Sequence, residues 1–255
     1  MPRRWLLDEE ASMQPARVTY VETCDLTVSD AAWAFARDNA DAIDAHWQRA
    51  TLANPSYFNG CIYVLAESRL EDGVFSGRLI AAEFKAFLYW KETGQTDTSV
   101  CDVFGSALIR SGDGAILLGR QRAGNLNAGL VYLPGGFIDP RDRDDDGRVD
   151  IRASVLREVE EETGLRAHTL AVSEGFLITR VGQQVSIAVE LVGDGDASRM
   201  IAFMREAVAH EAAPELEEIV AVRTVADLDP LPMPEFAQVL LWHVLAGRAP
   251  VATER

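Results

Sequence analysis

In the segment 152–165, RASVLREVEEETGL, the residues Glu158, Glu161 and Glu162 stand at i, i+3 and i+4, immediately ahead of Gly164 and Leu165. That spacing describes a helix with three carboxylates on one face, within reach of a common point. Its stop is equally clear: Gly164 suits the left-handed residue after a C-terminus, and Leu165 can fold back onto the helix. Like charges so placed repel, so the helix loses stability unless something cationic sits among them. Hard oxygen donors select magnesium or manganese over softer metals. The bland reading of such a run is a solvated acidic face.

The whole chain is acidic. With 40 Asp and Glu against 24 Lys and Arg in 255 residues, a net charge of −16, long-range electrostatics repel nucleic acid and anionic membranes. A small anionic substrate is still admitted where a divalent cation inverts the local sign. At 48% hydrophobic the chain can bury a sizeable core, and its length fits one large domain or two small ones. Cys24, Cys61 and Cys101 are odd in number and form no CxxC pair, so neither a disulfide framework nor a zinc site is suggested, and a reducing cytoplasm is expected. The start, MPRRWLLDEE, lacks the apolar core of a signal peptide. No apolar run approaches the roughly 18–20 residues of a membrane span.

Along the chain, apolar residues at Trp33, Ala36, Ala40, Ile43, Trp47 and Ala50 describe one helix from an N-cap at Ser29 to Asn54-Pro55. CIYVLAE and RLIAAEFKAF read as strands around a turn at Asp72-Gly73, and the polar stretch 91–100 as a linker. VFGSALIR and AILLGRQR read as a strand pair, GLVYLPGG as a strand ending in a tight loop, and GFLITRV with VSIAVELV as a second hairpin. A helix over ASRMIAFMREAVAHE, a strand over EEIVAVRTV and a helix over MPEFAQVLLWHVLAG close the chain. Strands and helices mix without strict βαβ alternation, which points to an α+β fold, an open mixed sheet flanked by helices.

Arg157-Glu158-Val159, Glu161-Glu162, Gly164 and Leu165, following Pro134-Gly135-Gly136 and the strand ILLGRQR, resemble the box of the Nudix hydrolase superfamily, Gly-x5-Glu-x7-Arg-Glu-U-x-Glu-Glu-x-Gly-U with U apolar. The resemblance implies a Nudix-type α/β/α sandwich over 96–255, with an N-terminal α+β extension over 17–95 and a tail over 1–16. It also implies metal-dependent hydrolysis of a nucleoside diphosphate linked to another group, X. Glu158 and Glu162 map onto metal ligands and Glu161 onto a third ligand or the base that orients water. Arg157 maps onto the cation that orders these carboxylates, and a carbonyl of Gly135 or Gly136 onto a further ligand. Mg2+ or Mn2+ is the implied cofactor and a small nucleotide the implied partner. Arg120 and Arg122, at the end of a strand before the box, are candidates for phosphate contact. A later-loop acid from Glu215, Glu217 or Glu218 could join the site.

The front of the box departs from the pattern. Gly136 to Arg157 is 21 residues where 14 are expected, an insertion of about seven, and counting back eight from Arg157 gives Val149 rather than Glu. Asp150 is the nearest acid. Within the insertion, DRDDDGRVD follows the first nine positions of an EF-hand loop, Asp142 to Asp150, although Ala153 stands where the loop's last Glu belongs. That leaves two readings, a Ca2+ site or a solvated acidic turn.

HWQRATLANPSYFNGCIYVL, followed by FKAFLYW, resembles the region before the box in animal UDP-glucose pyrophosphatases of the superfamily, through Trp47, Asn54, Pro55, Phe58 and Asn59. It implies a UDP-sugar cleaved to UMP and sugar 1-phosphate, with Tyr57, Phe58, Tyr89 and Trp90 as candidates for stacking or for the core. An ADP-ribose or dinucleotide pyrophosphatase is the alternative, as is a module that binds a nucleotide without cleaving it. An HExxH is missed at Pro214, and GxSxG, GxxxxGK[ST] and GxGxxG are absent.

Overall fold

A computed structural model describes residues 16–211 and 214–247. The expectations for the start of the chain, the tail and the segment MPRRWLLDEE, lie outside the described residues. The elements run β1 (Arg17–Val21), β2 (Thr23–Ser29), α1 (Ala34–Asp38), α2 (Ala40–Ala53), β3 (Cys61–Glu71), β4 (Val74–Glu83), α3 (Phe84–Glu92), β5 (Asp102–Arg110) and β6 (Ile116–Gln121). They continue with β7 (Val131–Tyr132), β8 (Arg148–Val149), α4 (Ile151–Thr163), β9 (Leu170–Val172), β10 (Phe176–Val181), β11 (Gln184–Gly193), α5 (Ala197–His210), β12 (Leu216–Val222) and α6 (Glu235–Leu245).

The larger sheet has the order β1-β10-β11-β5-β6-β12, with β7 added to β6 and β9 to β11. It is mixed, because β5 and β11 run parallel at its centre while their neighbours are antiparallel. Alternation along β5 sorts two apolar layers. Val103, Ala107 and Ile109 pack with Val155 and Val159 of α4 and Met200 and Met204 of α5, whereas Leu108 packs with Phe236, Leu240 and Leu241 of α6. Helices therefore cover both faces, an α/β/α sandwich. Gly105 is where α4 comes nearest, since a Cβ there would stand 2.7 Å from Val155 Cγ2.

A second sheet, β3-β4-β2-β8, is built mostly from the N-terminal part. The two parts exchange strands: β1 pairs with β10 in the larger sheet, while β8, from the acidic insertion, pairs with β2 in the smaller. Among the described residues no helix is long and apolar enough to cross a membrane.

Two elements differ from the sequence expectation. RLIAAEFKAF is not one strand: β4 ends at Glu83 and α3 begins at Phe84. Ala86, Phe87, Leu88 and Trp90 are then buried on a helix, which a short apolar run cannot distinguish from a strand. Nor does a helix start at Ser29, the last residue of β2. Helix begins at Ala34 and breaks at Asn39, whose Nδ2 donates to Phe35 O at 2.9 Å in competition with the backbone.

The box helix stops as expected, with Gly164 left-handed at φ 71°. A Cβ there would also collide with Ala207 of α5. Gly164→Ala is expected to cost about 2 kcal/mol from the left-handed backbone and the forced shift of α5 together, and chemical denaturation measures it.

Candidate active site

Asp150 caps α4, its Oδ1 accepting from Arg152 N and Ala153 N, both at 3.1 Å. The helix then carries Glu158 and Glu162 towards the loop 134–136, which is clasped to β5 by Ala107 N donating to Pro134 O at 2.7 Å and Gly105 N to Gly136 O at 3.1 Å. Loop and helix meet closely: a Cβ at Gly136 would collide with the Glu158 carboxylate, and one at Gly135 with the Gly105 carbonyl. Only glycine lets the two approach so far.

Glu162 is 3% exposed, and its Oε2 is buried without a hydrogen-bond partner. Burial first, then the charges of Glu215 and Glu158, push its pKa well above the ordinary carboxylate range, against a hydrogen bond from Gly135 N–H. Burial pushes Glu158 up to about 7, opposed by Arg157 and reinforced by Glu161 and Glu215. Glu215, exposed just ahead of β12, is raised by partial desolvation against the cavity wall and then by Glu161 and Glu211. Glu161 is exposed, its side chain 52% accessible.

Arg157 organises the cluster from one side. Its guanidinium donates to Asp142 Oδ1 and to Glu158 Oε1, each at 2.9 Å, and its Nε lies 3.8 Å from Glu161. Asp142 is the residue the sequence reading missed. It is buried, and its Oδ2 also accepts from Asp139 N at 2.9 Å. Counted forward from Gly136, Asp142 occupies the position after x5, where the box has its first Glu. The insertion therefore lies after that position, and Asp150, offered as the substitute, is the helix cap instead.

Three aspartates of the EF-hand-like run have partners within the chain. Asp142 serves Arg157 and the loop backbone, Asp144 Oδ1 accepts from Asp146 N and Arg148 N, and Asp150 caps α4. These aspartates shape the turn leading into β8 and α4.

Glu158, Glu162, Glu215, Gly135 and Gly136 form one end of a cavity of about 670 Å3. Arg141, on the loop between Gly136 and Asp142, joins them; its Nε and a terminal nitrogen donate to Asp139, and its guanidinium lies 3.8 Å from Glu158 and 3.6 Å from Glu161. Phe104, Tyr132 and Phe236 line it further on, and the N-terminal part supplies a wall through Tyr57, Phe58 and Phe84. Phe58 is 82% exposed. Asn54 Nδ2 donates to the carbonyl of Gly124, a lining residue in the β6–β7 loop. The other aromatic candidates stay in the core: Trp90 is fully buried with Nε1 bonded to Asp97 O, and Tyr89 stacks on Phe35.

The two arginines singled out for phosphate lie elsewhere. Arg120 pairs with Glu218 at 2.8 Å and donates to Gly129 O, and Arg122 lines a separate groove with Arg205 and Glu217. Of the later-loop acids, Glu215 alone lines the main cavity. Its place is set by β12 pairing with β6, which no local pattern reports.

As the side chains stand, no group of three or more His, Cys, Asp or Glu among the described residues is drawn together tightly enough to hold a metal ion. The donor chemistry nevertheless suits one. Glu162 is buried, Glu158 half-buried and Glu215 exposed at the cavity wall, three oxygen donors whose charges repel, with the Oε2 of Glu162 unpartnered. A hard divalent cation compensates that charge, and no protein cation reaches Glu162 among the ion pairs of the described residues.

The family model described as NUDIX domain matches residues 103–242. No curated protein matches the chain. Solved structures similar to it include a Nudix hydrolase from M. smegmatis, RenU, at 17% identity over 59% of this chain and 88% of that one, with a TM-score of 0.37. The MutT protein from Methanosarcina mazei Go1 is 24% identical over 57% and 95%, with a TM-score of 0.38. A C. elegans Ap4A hydrolase is 15% identical over 57% and 98%, also with a TM-score of 0.38.

Proposed function

The chain belongs to the Nudix family and is a hydrolase of pyrophosphate-containing substrates; from that premise we propose that it cleaves a nucleoside diphosphate linked to X, with a UDP-sugar giving UMP and sugar 1-phosphate as the leading case. The observation that carries this reading is the buried, unpartnered Oε2 of Glu162, set beside Glu158 and Glu215 at the end of a cavity large enough for a nucleotide. Glu158, Glu162 and Glu215 would hold Mg2+ or Mn2+. A divalent cation bound there neutralises phosphate oxygens and lowers the pKa of a coordinated water.

The remaining roles belong to the chain's own groups. Arg157, anchored on buried Asp142, fixes the Glu158 rotamer so that the carboxylate does not follow its own repulsion outward. Glu161, exposed and loosely paired with Arg157 and Arg141, is free to orient a water and accept its proton. Arg141 stands at the cavity's reacting end, held by Asp139 with its side chain 59% exposed, so a cation for phosphate oxygens comes from the loop ahead of Asp142 rather than from Arg120 or Arg122. Residues 17–95 act as an extension whose Tyr57 and Phe58 close the cavity over X. Three unpaired cysteines suit a reducing cytoplasm.

The test is product analysis with Mg2+ or Mn2+ across UDP-glucose, UDP-galactose, ADP-ribose, NADH and a nucleoside triphosphate. UMP and sugar 1-phosphate from the UDP-sugars are expected. AMP from ADP-ribose alone would replace the substrate, and no turnover of any of them would overturn the hydrolytic reading.

A further inference from the structure

The same cavity is lined by a second polar group that the hydrolytic chemistry does not use. Asp102 opens β5, Gln184 opens β11 as its register partner, and Lys91 reaches in from the last turn of α3. Neither Lys91 nor Asp102 falls within the matched span 103–242. Asp102 Oδ2 accepts from Lys91 Nζ and from Gln184 Nε2, both at a long 3.3 Å. Its Oδ1 has no partner, and the side chain is 3% exposed. A buried carboxylate oxygen left unpaired costs stability unless a donor reaches it, so the site is incomplete in the protein alone.

Its surroundings suit a planar ring. Phe104, two residues along the same face of β5, lies with its ring 4.7 Å from that of Phe236, which in turn lies 5.8 Å from that of Tyr132, and all three line the cavity. Three residues of strand, about 10 Å, separate Asp102 from Gly105, whose N–H holds the loop at the glutamates. That is the scale of a nucleoside between its base and its diphosphate.

The donor and acceptor inventory selects among bases. Around Asp102 there is one unpaired acceptor, its Oδ1, with two donor groups, Lys91 and Gln184, beside it. Uracil presents the complement: one ring N–H between two carbonyl oxygens. Cytosine and adenine each pair an amino donor with a ring nitrogen acceptor, and guanine sets two donors beside one carbonyl. We propose that Asp102, Lys91 and Gln184 read the imide edge of a uracil ring, with Asp102 Oδ1 accepting from N3–H and the lysine and amide donating to the carbonyls. This assignment rests on the nucleoside diphosphate reading above and names its base.

The test compares kcat/KM for UDP-glucose with that for CDP-glucose, which differ only at ring positions 3 and 4, in wild type, Asp102→Asn and Gln184→Glu. The ratio is unaffected by any loss of folded protein. Wild type is expected to favour uridine at least about tenfold. Asp102→Asn, whose amide can donate to the bare N3 of cytosine, is expected to reduce that preference about tenfold or invert it, and Gln184→Glu to reduce it as well. Calorimetry of UMP and CMP binding to the same proteins repeats the comparison without turnover. Hydrolysis of both substrates with a ratio that neither variant changes would overturn the uracil assignment and leave the pyrophosphatase reading intact. Selective UMP binding lost in Asp102→Asn, with no hydrolysis of either sugar nucleotide, would uphold the assignment and overturn the hydrolytic reading instead.

Discussion

Glu162→Gln is expected to lower kcat/KM at least about a thousandfold, about 4 kcal/mol of transition-state stabilisation. The amide keeps the shape of the side chain and its bond to the loop but removes a charged oxygen donor from the most enclosed position of the cluster. Stability should move the other way. In chelator-treated protein the wild-type carboxylate is buried beside Glu158 and Glu215 with Oε2 unpartnered, so neutralising it removes repulsion. The variant should melt at or above the wild-type temperature. Activity within tenfold of wild type in the variant would place the chemistry elsewhere, and a large drop in melting temperature would mean that Glu162 is structural.

Two adjacent glycines should respond differently to the same methyl group. At Gly136 the added Cβ meets the Glu158 carboxylate, the far end of a flexible side chain that can turn away. Gly136→Ala is therefore expected to lower kcat/KM about a hundredfold through misplacement of that group, with little change in stability. At Gly135 the Cβ meets the carbonyl of Gly105, and the backbone has φ +153°. No rotamer relieves that clash. Gly135→Ala is expected to cost about 2–3 kcal/mol in chemical denaturation, because the centre of the larger sheet must move. Equal losses of stability in both variants would show that Glu158 is as rigid as the strand.

The box helix was legible because its information is local: helix spacing sets the face of Glu158 and Glu162, and Gly164 sets the stop. The first acid of the box was present but misplaced. Counting back from Arg157 crosses the insertion and arrives at Asp150, whereas counting forward from Gly136 reaches Asp142, which the Arg157 ion pair identifies. Phe84 to Phe87 read as strand because four consecutive apolar or long side chains fit either period, and only burial on the smaller sheet makes α3 a helix. The strands β1 and β2 are set by distant pairing rather than by a local pattern. Each is defined by a partner far along the chain, β1 by β10 and β2 by β4 and β8.

The sequence by itself determined the family, the acidic helix with its stop and the type of chemistry, since these rest on residue identity and on contacts within a few turns. It also carried the donor type, hard oxygen, that selects the class of cation. Only the tertiary structure decided which acids and cations share the cavity. It brought in Glu215 through the pairing of β12 with β6 and Arg141 through the capped turn from Asp139 to Asp142, and it sent Arg120 and Arg122 elsewhere. It also assembled Lys91, Asp102 and Gln184, which span 94 positions of the chain, from 91 to 184. Strand pairing and helix packing place residues by sheet order and register, and chain order does not contain that information.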